Sequence, residues 1–262
     1  MDLHFDTMLA AAYSGQSQRI RVMSEAWAHR ELFCPACGHA QMQRSEPNRH
    51  ALDFQCPACS ENFELKSKAG VLGNSIVDGV HKTMMERLGS NTNPSLLVLN
   101  YNRTGMKVSG LMLVPRHFFT TDMIAKKNPT PPHARRPNWV GCTIRLAGFP
   151  MAGKITLVLR GVAVPAAQVL AQRKSCVFLA NQRAEARGWL LDVLQCIERI
   201  GVTEFALADL YRFEHELSQK YPKNNNVRAK VRQQTQVLRD HGILEFVEKS
   251  RYRRIDPQPS AA

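Results

Sequence analysis

Four of the seven cysteines occur as Cys34-Pro-Ala-Cys37 and Cys56-Pro-Ala-Cys59, with 18 residues between the two pairs. Each CxxC turn offers two thiolates from one tight bend, and two such knuckles at this distance suit a single tetrahedral zinc ion. Four thiolates leave no open coordination position, so the expected zinc is structural and adds folding free energy without doing chemistry. Cys142, Cys176 and Cys196 sit alone among apolar neighbours and read as small core residues.

The second knuckle interrupts a patterned stretch, Ala51–Lys66, ALDFQCPACSENFELK. Asn62, Glu64 and Lys66 alternate with Phe63 and Leu65, as in a strand with one polar and one apolar face. If the knuckle is the turn of a hairpin, Asp53 comes alongside, and Asp53, Glu64 and Lys66 share a face. Two carboxylates supply the hard oxygen ligands that Mg²⁺ takes, together with water and phosphate oxygens. A neighbouring ammonium can orient a metal-bound water and help it deprotonate. The chemistry would be metal-assisted hydrolysis at a phosphate. The same residue types are common on solvated strand faces, so the trio alone also fits a plain surface.

The rest of the composition says what such a site would act on. Lys and Arg number 35 against 22 Asp and Glu, a net charge of +13 and a pI of about 9.7. That field concentrates a polyanion, so nucleic acid is the expected partner; a ribosome-associated or merely basic protein is the plainer alternative. An anionic membrane would need a basic amphipathic helix or a lipid signal, and neither is found. No window approaches the roughly 18 apolar residues of a membrane span. The start, MDLHFDTMLAAAY, lacks the basic region of a signal peptide. The expectation is a protein of the reducing cytoplasm, in which cysteines ligate metal or lie buried.

A chain of 262 residues suits one large domain or two modest ones. Asp78–Leu88 reads as a basic helix, and Ser95–Tyr101, Leu111–Val114 and Ile155–Arg160 as buried strands, which fits a mixed α/β core. Asn128–Cys142 carries four prolines, Arg135, Arg136, Asn138 and Trp139, with no regular period. Such a stiff basic loop could enter a DNA groove and stack on bases, or be a surface loop with Trp139 folded back onto the core.

Asn181–Arg187 reads as a linker. Beyond it, Trp189, Val193, Cys196, Ile197 and Ile200 form one stripe at helical spacing, and a second helix runs from Leu207 through Leu217. A third starts after the capping residues Asn224-Asn225-Asn226, buries Val227, Val231 and Leu238, and ends at His241-Gly242. Two strands, Ile243–Val247 and Arg251–Ile255, flank Glu248-Lys249-Ser250. This is the order of a winged helix, whose third helix would enter the major groove. Tyr221–Arg254 holds nine Lys/Arg and three Asp/Glu, a surplus of +6, which favours DNA over a protein partner. Asn225, Asn226, Arg228, Arg232, Gln233 and Gln236, with Lys249, Arg251 and Arg253 in the wing, are the candidate contacts.

Taken together, the pieces resemble the DpnI-like family of methyl-directed restriction endonucleases. The similarity runs almost end to end, through MDLHFD, the paired knuckles, DFQCPACSENFELKSK, TMMERLGSNTNP, ARRPNWVGC, RGWLLDVLQCIERI, LADLYRFEHEL and VRQQTQVLRD. It implies an α/β PD-(D/E)xK nuclease core carrying the zinc knuckle over residues 1–181, and a winged-helix domain over 182–256. It further implies Mg²⁺-dependent cutting of double-stranded DNA at GATC bearing N6-methyladenine, by a protein expected to be monomeric in solution. Asp53 and Glu64 match the acidic ligands of the motif, Lys66 its lysine, and the Leu65 carbonyl a further ligand; Glu25 is an additional candidate. Leu52 stands where many members have proline, and residues 257–262 extend past the match as an expected disordered tail. The alternatives are a zinc-containing winged-helix regulator without nuclease activity, and a nuclease of the same fold with another specificity.

Overall fold

The computed structural model describes residues 1–45 and 52–255; the tail expected at 257–262 lies outside the described residues. The chain divides into two compact units, residues 1–149 with 153–173, and 150–152 with the described residues from 174 on. No described helix is long and apolar enough to cross a membrane.

Along the first unit lie α1 (Gln16–Glu31), β1 (Gln43–Arg44), β2 (Phe54–Gln55), β3 (Asn62–Ala69), β4 (Ser75–Val80), α2 (His81–Gly89), β5 (Ser95–Asn102), β6 (Lys107–Val114), β7 (Ile124–Lys126), β8 (Gly141–Arg145), β9 (Ile155–Leu159), β10 (Val162–Ala163) and α3 (Ala166–Ser175). Seven strands form one sheet in the order β1-β2-β3-β5-β6-β9-β10. Among the described residues only β3 and β5 pair in parallel, with Glu64 opposite Leu96 and Lys66 opposite Val98. A parallel pair cannot be closed by a tight turn, and here β4 and α2 form the crossover. The central β5 is buried along Ser95–Leu99, which accounts for its unbroken apolar run. β4, β8 and β7 make a second, antiparallel sheet of three strands. Trp27 of α1, fully buried, donates its indole N–H to the Asp2 carbonyl at 2.7 Å and meets the edge of Phe5.

The second unit carries α4 (Ala184–Ile200), β11 (Glu204–Ala206), α5 (Leu207–Tyr211), α6 (Glu214–Lys220), α7 (Val227–Asp240), β12 (Leu244–Glu248) and β13 (Arg251–Arg254). Trp189, Val193, Cys196 and Ile197 are buried, as are Val227, Val231 and Leu238 of α7. The Asp192 carboxylate on α4 accepts from Lys220 Nζ and the Tyr221 hydroxyl, each at 2.6 Å, while the Tyr221 ring stacks on Trp189.

Several local readings need correction. The stretch from Asp78 is not wholly helical: Ile76 and Asp78 are buried while Ser75, Val77 and Gly79 are exposed, a period of two, and the helix begins only at His81. The segment taken as a linker is nearly all ordered, because a 3₁₀ turn reaches Asn181 and α4 starts at Ala184. The single helix expected across Leu207–Leu217 breaks at Arg212-Phe213, so that α5 packs on α4 and α7, and α6 on α7. Asn226 makes no side-chain cap on α7; instead the Asn224 carboxamide oxygen accepts the Asn226 N–H at 2.8 Å. The wing has a third strand, β11, pairing Phe205 with Tyr252. Three residues are too few to show a period.

Candidate active site and zinc centre

The two knuckles fold alike. The Gly38 N–H donates to the Cys34 carbonyl at 2.8 Å and the Ser60 N–H to the Cys56 carbonyl at 2.9 Å. Gly38 and Ser60, the residue after the second cysteine in each, both take left-handed backbone, φ +83° and +59°. The Sγ atoms of Cys34 and Cys59 lie 3.7 Å apart and those of Cys37 and Cys56 3.6 Å, with all four inside 4.8 Å of one another. That is far too long for a disulfide, about 2.05 Å. It is close to the roughly 3.8 Å between thiolates that each sit about 2.3 Å from a tetrahedral centre. Burial pushes the Cys34 thiol up, and that of Cys59 to about 11, against backbone N–H groups that favour the thiolates. A cation removes that burial cost, so the donor set fits zinc.

The second knuckle is also the turn of the β2–β3 hairpin, in which Phe54 pairs with Phe63 and both rings are fully buried. The Asp53 N–H donates to the Phe63 carbonyl at 3.0 Å, and Asp53 Oδ2 accepts the Leu65 N–H at 2.7 Å. Burial raises the Asp53 carboxyl above its ordinary range despite that bond. On α1, Arg21 reaches Glu25 at 2.6 Å and stands 3.9 Å from Asp53.

β3 does not present the solvated polar face its alternation suggests. Glu64 is buried, and Lys66 places its Nζ 2.6 Å from Glu64 Oε1 and 2.7 Å from Asp78 Oδ1. Arg87 of α2 stands outside hydrogen-bond range of both, 3.9 Å from Glu64 and 4.0 Å from Asp78. Burial pushes the Glu64 carboxyl up to about 6, against the charge of Lys66. Burial opposes the charge on Asp78 and on Lys66 too, but for Lys66 the charges of Glu64 and then Asp78 outweigh it, and for Asp78 that of Lys66 does, leaving Asp78 below and Lys66 above their ordinary values. Lys66 is thus held as an ammonium, suited to orienting water and not to taking its proton. Among the described residues only the cysteines bring three or more His, Cys, Asp or Glu donor atoms into one such cluster. The oxygen donors nevertheless fit a divalent cation, since Asp53 and Glu64 are desolvated carboxylates whose charged forms a cation would restore.

A family model described as DpnI, the Dam-replacing family, matches residues 1–182. The chain belongs to that family. A second model, the Dam-replacing HTH domain, matches residues 185–254. The pair of matches describes a DpnI-like methyl-directed restriction enzyme with a C-terminal winged-helix domain, and the latter suggests DNA binding.

In this DpnI-like enzyme the remaining candidates divide by how they are held. Arg135, Arg136 and Asn138 are exposed on a loop closed by the Thr130 N–H on the Trp139 carbonyl at 2.9 Å. Trp139 is half-buried, its ring lying where a Cβ on Gly141 would be. In the second unit Asn225, Asn226, Arg232, Gln233, Gln236 and Lys249 are exposed. Gln233 accepts from Lys230 at 3.0 Å. Three arginines have acidic partners: Arg228 with Glu214 at 2.7 Å, Arg251 with Glu248 at 3.1 Å, and Arg253 with Glu204 at 2.7 Å and Glu245 at 3.1 Å.

Sequence reasoning missed Asp78 and Arg87. For Asp78 a signal existed, an acid two residues from Ile76 on the inward face of a strand. Arg87 has no comparable mark.

Proposed function

We propose that this protein is a type II site-specific deoxyribonuclease that cuts double-stranded DNA at GATC carrying N6-methyladenine, by Mg²⁺-dependent phosphodiester hydrolysis on a PD-(D/E)xK core. The observation that carries the reading is the hairpin that sets the Asp53 carboxylate on the Leu65 N–H, between Glu64 and Lys66. Asp53, Glu64 and the Leu65 carbonyl would hold the ion, with Glu25 as a further candidate. Bound there, Mg²⁺ supplies charge neutralisation for the phosphoryl oxygens. Lys66 aligns the attacking water by hydrogen bond. Zinc on Cys34, Cys37, Cys56 and Cys59 keeps the hairpin turn closed.

The reading assigns nuclease chemistry to residues 1–181 and a winged helix to 182–256, in a monomer acting in the bacterial cytoplasm. Arg228, Arg232, Gln233 and Gln236 face DNA from the recognition helix, Asn225 and Asn226 from the turn that precedes it, and Lys249, Arg251 and Arg253 from the wing. Arg135, Arg136, Asn138 and Trp139 do so from the proline-rich loop. Burying one methyl contributes about 0.8 kcal/mol, roughly fourfold, too little to spare unmethylated DNA. Two readers, the winged helix and the Trp139 loop, would each test one methyl of the palindrome, and an unmethylated amino group left unpaired in a dry pocket adds discrimination.

The test is plasmid DNA from adenine-methylating and non-methylating hosts, incubated with the protein and Mg²⁺. Fragments from methylated DNA alone are expected. Binding without cutting of either plasmid would overturn the nuclease reading in favour of a regulator.

A further inference from the structure

Lys66 is shared between two carboxylates, and only one of them is spoken for. Glu64 Oε1 and Asp78 Oδ1 stand 2.6 and 2.7 Å from the same Nζ. In the nuclease reading Glu64 also holds the divalent cation, and an oxygen bound to a cation is a poorer acceptor for an ammonium. Asp78 has no such second duty.

Its surroundings are built to keep it in place. β4 and β8 pair Asp78 with Cys142, and a bulge between Asp78 and Val80 shifts the register just past it. Bulges of this kind re-aim a side chain beside a functional site. The Gly79 N–H supports the carboxylate, and the Cys142 thiol donates weakly to Oδ2 at 4.0 Å. Arg87, at 4.0 Å, offsets its charge without competing for the Lys66 bond. The Asp78 side chain is 2 % exposed, so water does not substitute for Lys66 there.

We propose that Asp78 is a positioning residue, which stations the Lys66 ammonium beside the scissile phosphate once Glu64 is engaged by the metal. The proposal rests on the nuclease reading of the same site. In this role Asp78 acts through its 2.7 Å contact with Lys66.

The test is Asp78→Asn in the full-length protein, with two readouts. Cutting in single turnover should slow about 10- to 100-fold, the usual effect of losing an outer-shell partner, with the Kd for DNA unchanged. Independently, acylation of Lys66 by an amine-reactive ester, followed by mass spectrometry, should become severalfold faster, while exposed Lys82 labels as before. Asp78→Glu should recover part of both. Wild-type cutting and wild-type Lys66 labelling in Asp78→Asn would overturn the proposal. So would a loss shared equally by Kd and thermal stability that Asp78→Glu does not restore. A wild-type protein that cuts no DNA removes the nuclease reading, and the labelling comparison then decides whether Asp78 stations Lys66.

Discussion

The Asp53 carboxylate accepts the Leu65 N–H at 2.7 Å across a hairpin whose turn is the second cysteine knuckle. The cysteine cluster and the candidate active site are therefore one local structure. A structural zinc site contributes about 10–16 kcal/mol in small peptides, comparable to the roughly 5–15 kcal/mol stability of a whole domain. Removing zinc, by chelation or Cys56→Ser, should release the β2–β3 hairpin and cutting together. Amide exchange at residues 53–66 and zinc content report the coupling; a zinc-free protein with full activity would break it.

Glu64→Ala and Lys66→Ala should each abolish cutting while bound zinc and DNA affinity stay near wild type. Breaking a buried ion pair usually costs about 3–5 kcal/mol. Here Asp78 still pairs with Lys66 when Glu64 is gone, so the Glu64→Ala melting temperature should fall less than that figure implies. An active Glu64→Ala protein would remove the assignment.

Burial pushes Glu64 up to about 6, so below that pH a proton must leave before the carboxylate can bind a cation. The sign is that metal affinity is full above pH 6 and declines as pH falls, by about tenfold per unit for one proton. Mg²⁺ titrations of cutting at pH 7.5 and 5.5 should show the requirement rising at the lower pH. A flat requirement would place the metal elsewhere.

Hemimethylated GATC should be cut more slowly than the fully methylated site, because one of two readers is left without its methyl. Deleting residues 182–262 should cost much affinity and leave a weaker, still methyl-dependent nuclease. A truncated protein as tight and selective as the whole would refute recognition by two readers.

On α7, Arg232 is exposed and forms no ion pair among the described residues, whereas Arg228 is tied to Glu214 at 2.7 Å and lies over Tyr211. Arg232→Ala should therefore weaken GATC binding more than Arg228→Ala, by about 1–3 kcal/mol if it contacts a base. Fluorescence anisotropy at fixed salt separates them, and equal losses would contradict the ranking.

What the sequence determined by itself is whatever closes over short distances. The knuckle spacing specifies the cysteine cluster, and one knuckle serves as the turn that brings Asp53 to β3 only 12 residues away. Helical stripes such as Trp189–Ile197 and Val227–Leu238 are equally legible, since burial follows a local period. The folded chain alone decided that Glu64 lies buried and Lys66 half-buried, that Asp78 reaches Lys66 from a second sheet, and that Arg87 stands behind. It also decided which wing arginines are neutralised by acids. Those contacts join elements whose approach depends on packing, and packing leaves no period in the residues it brings together.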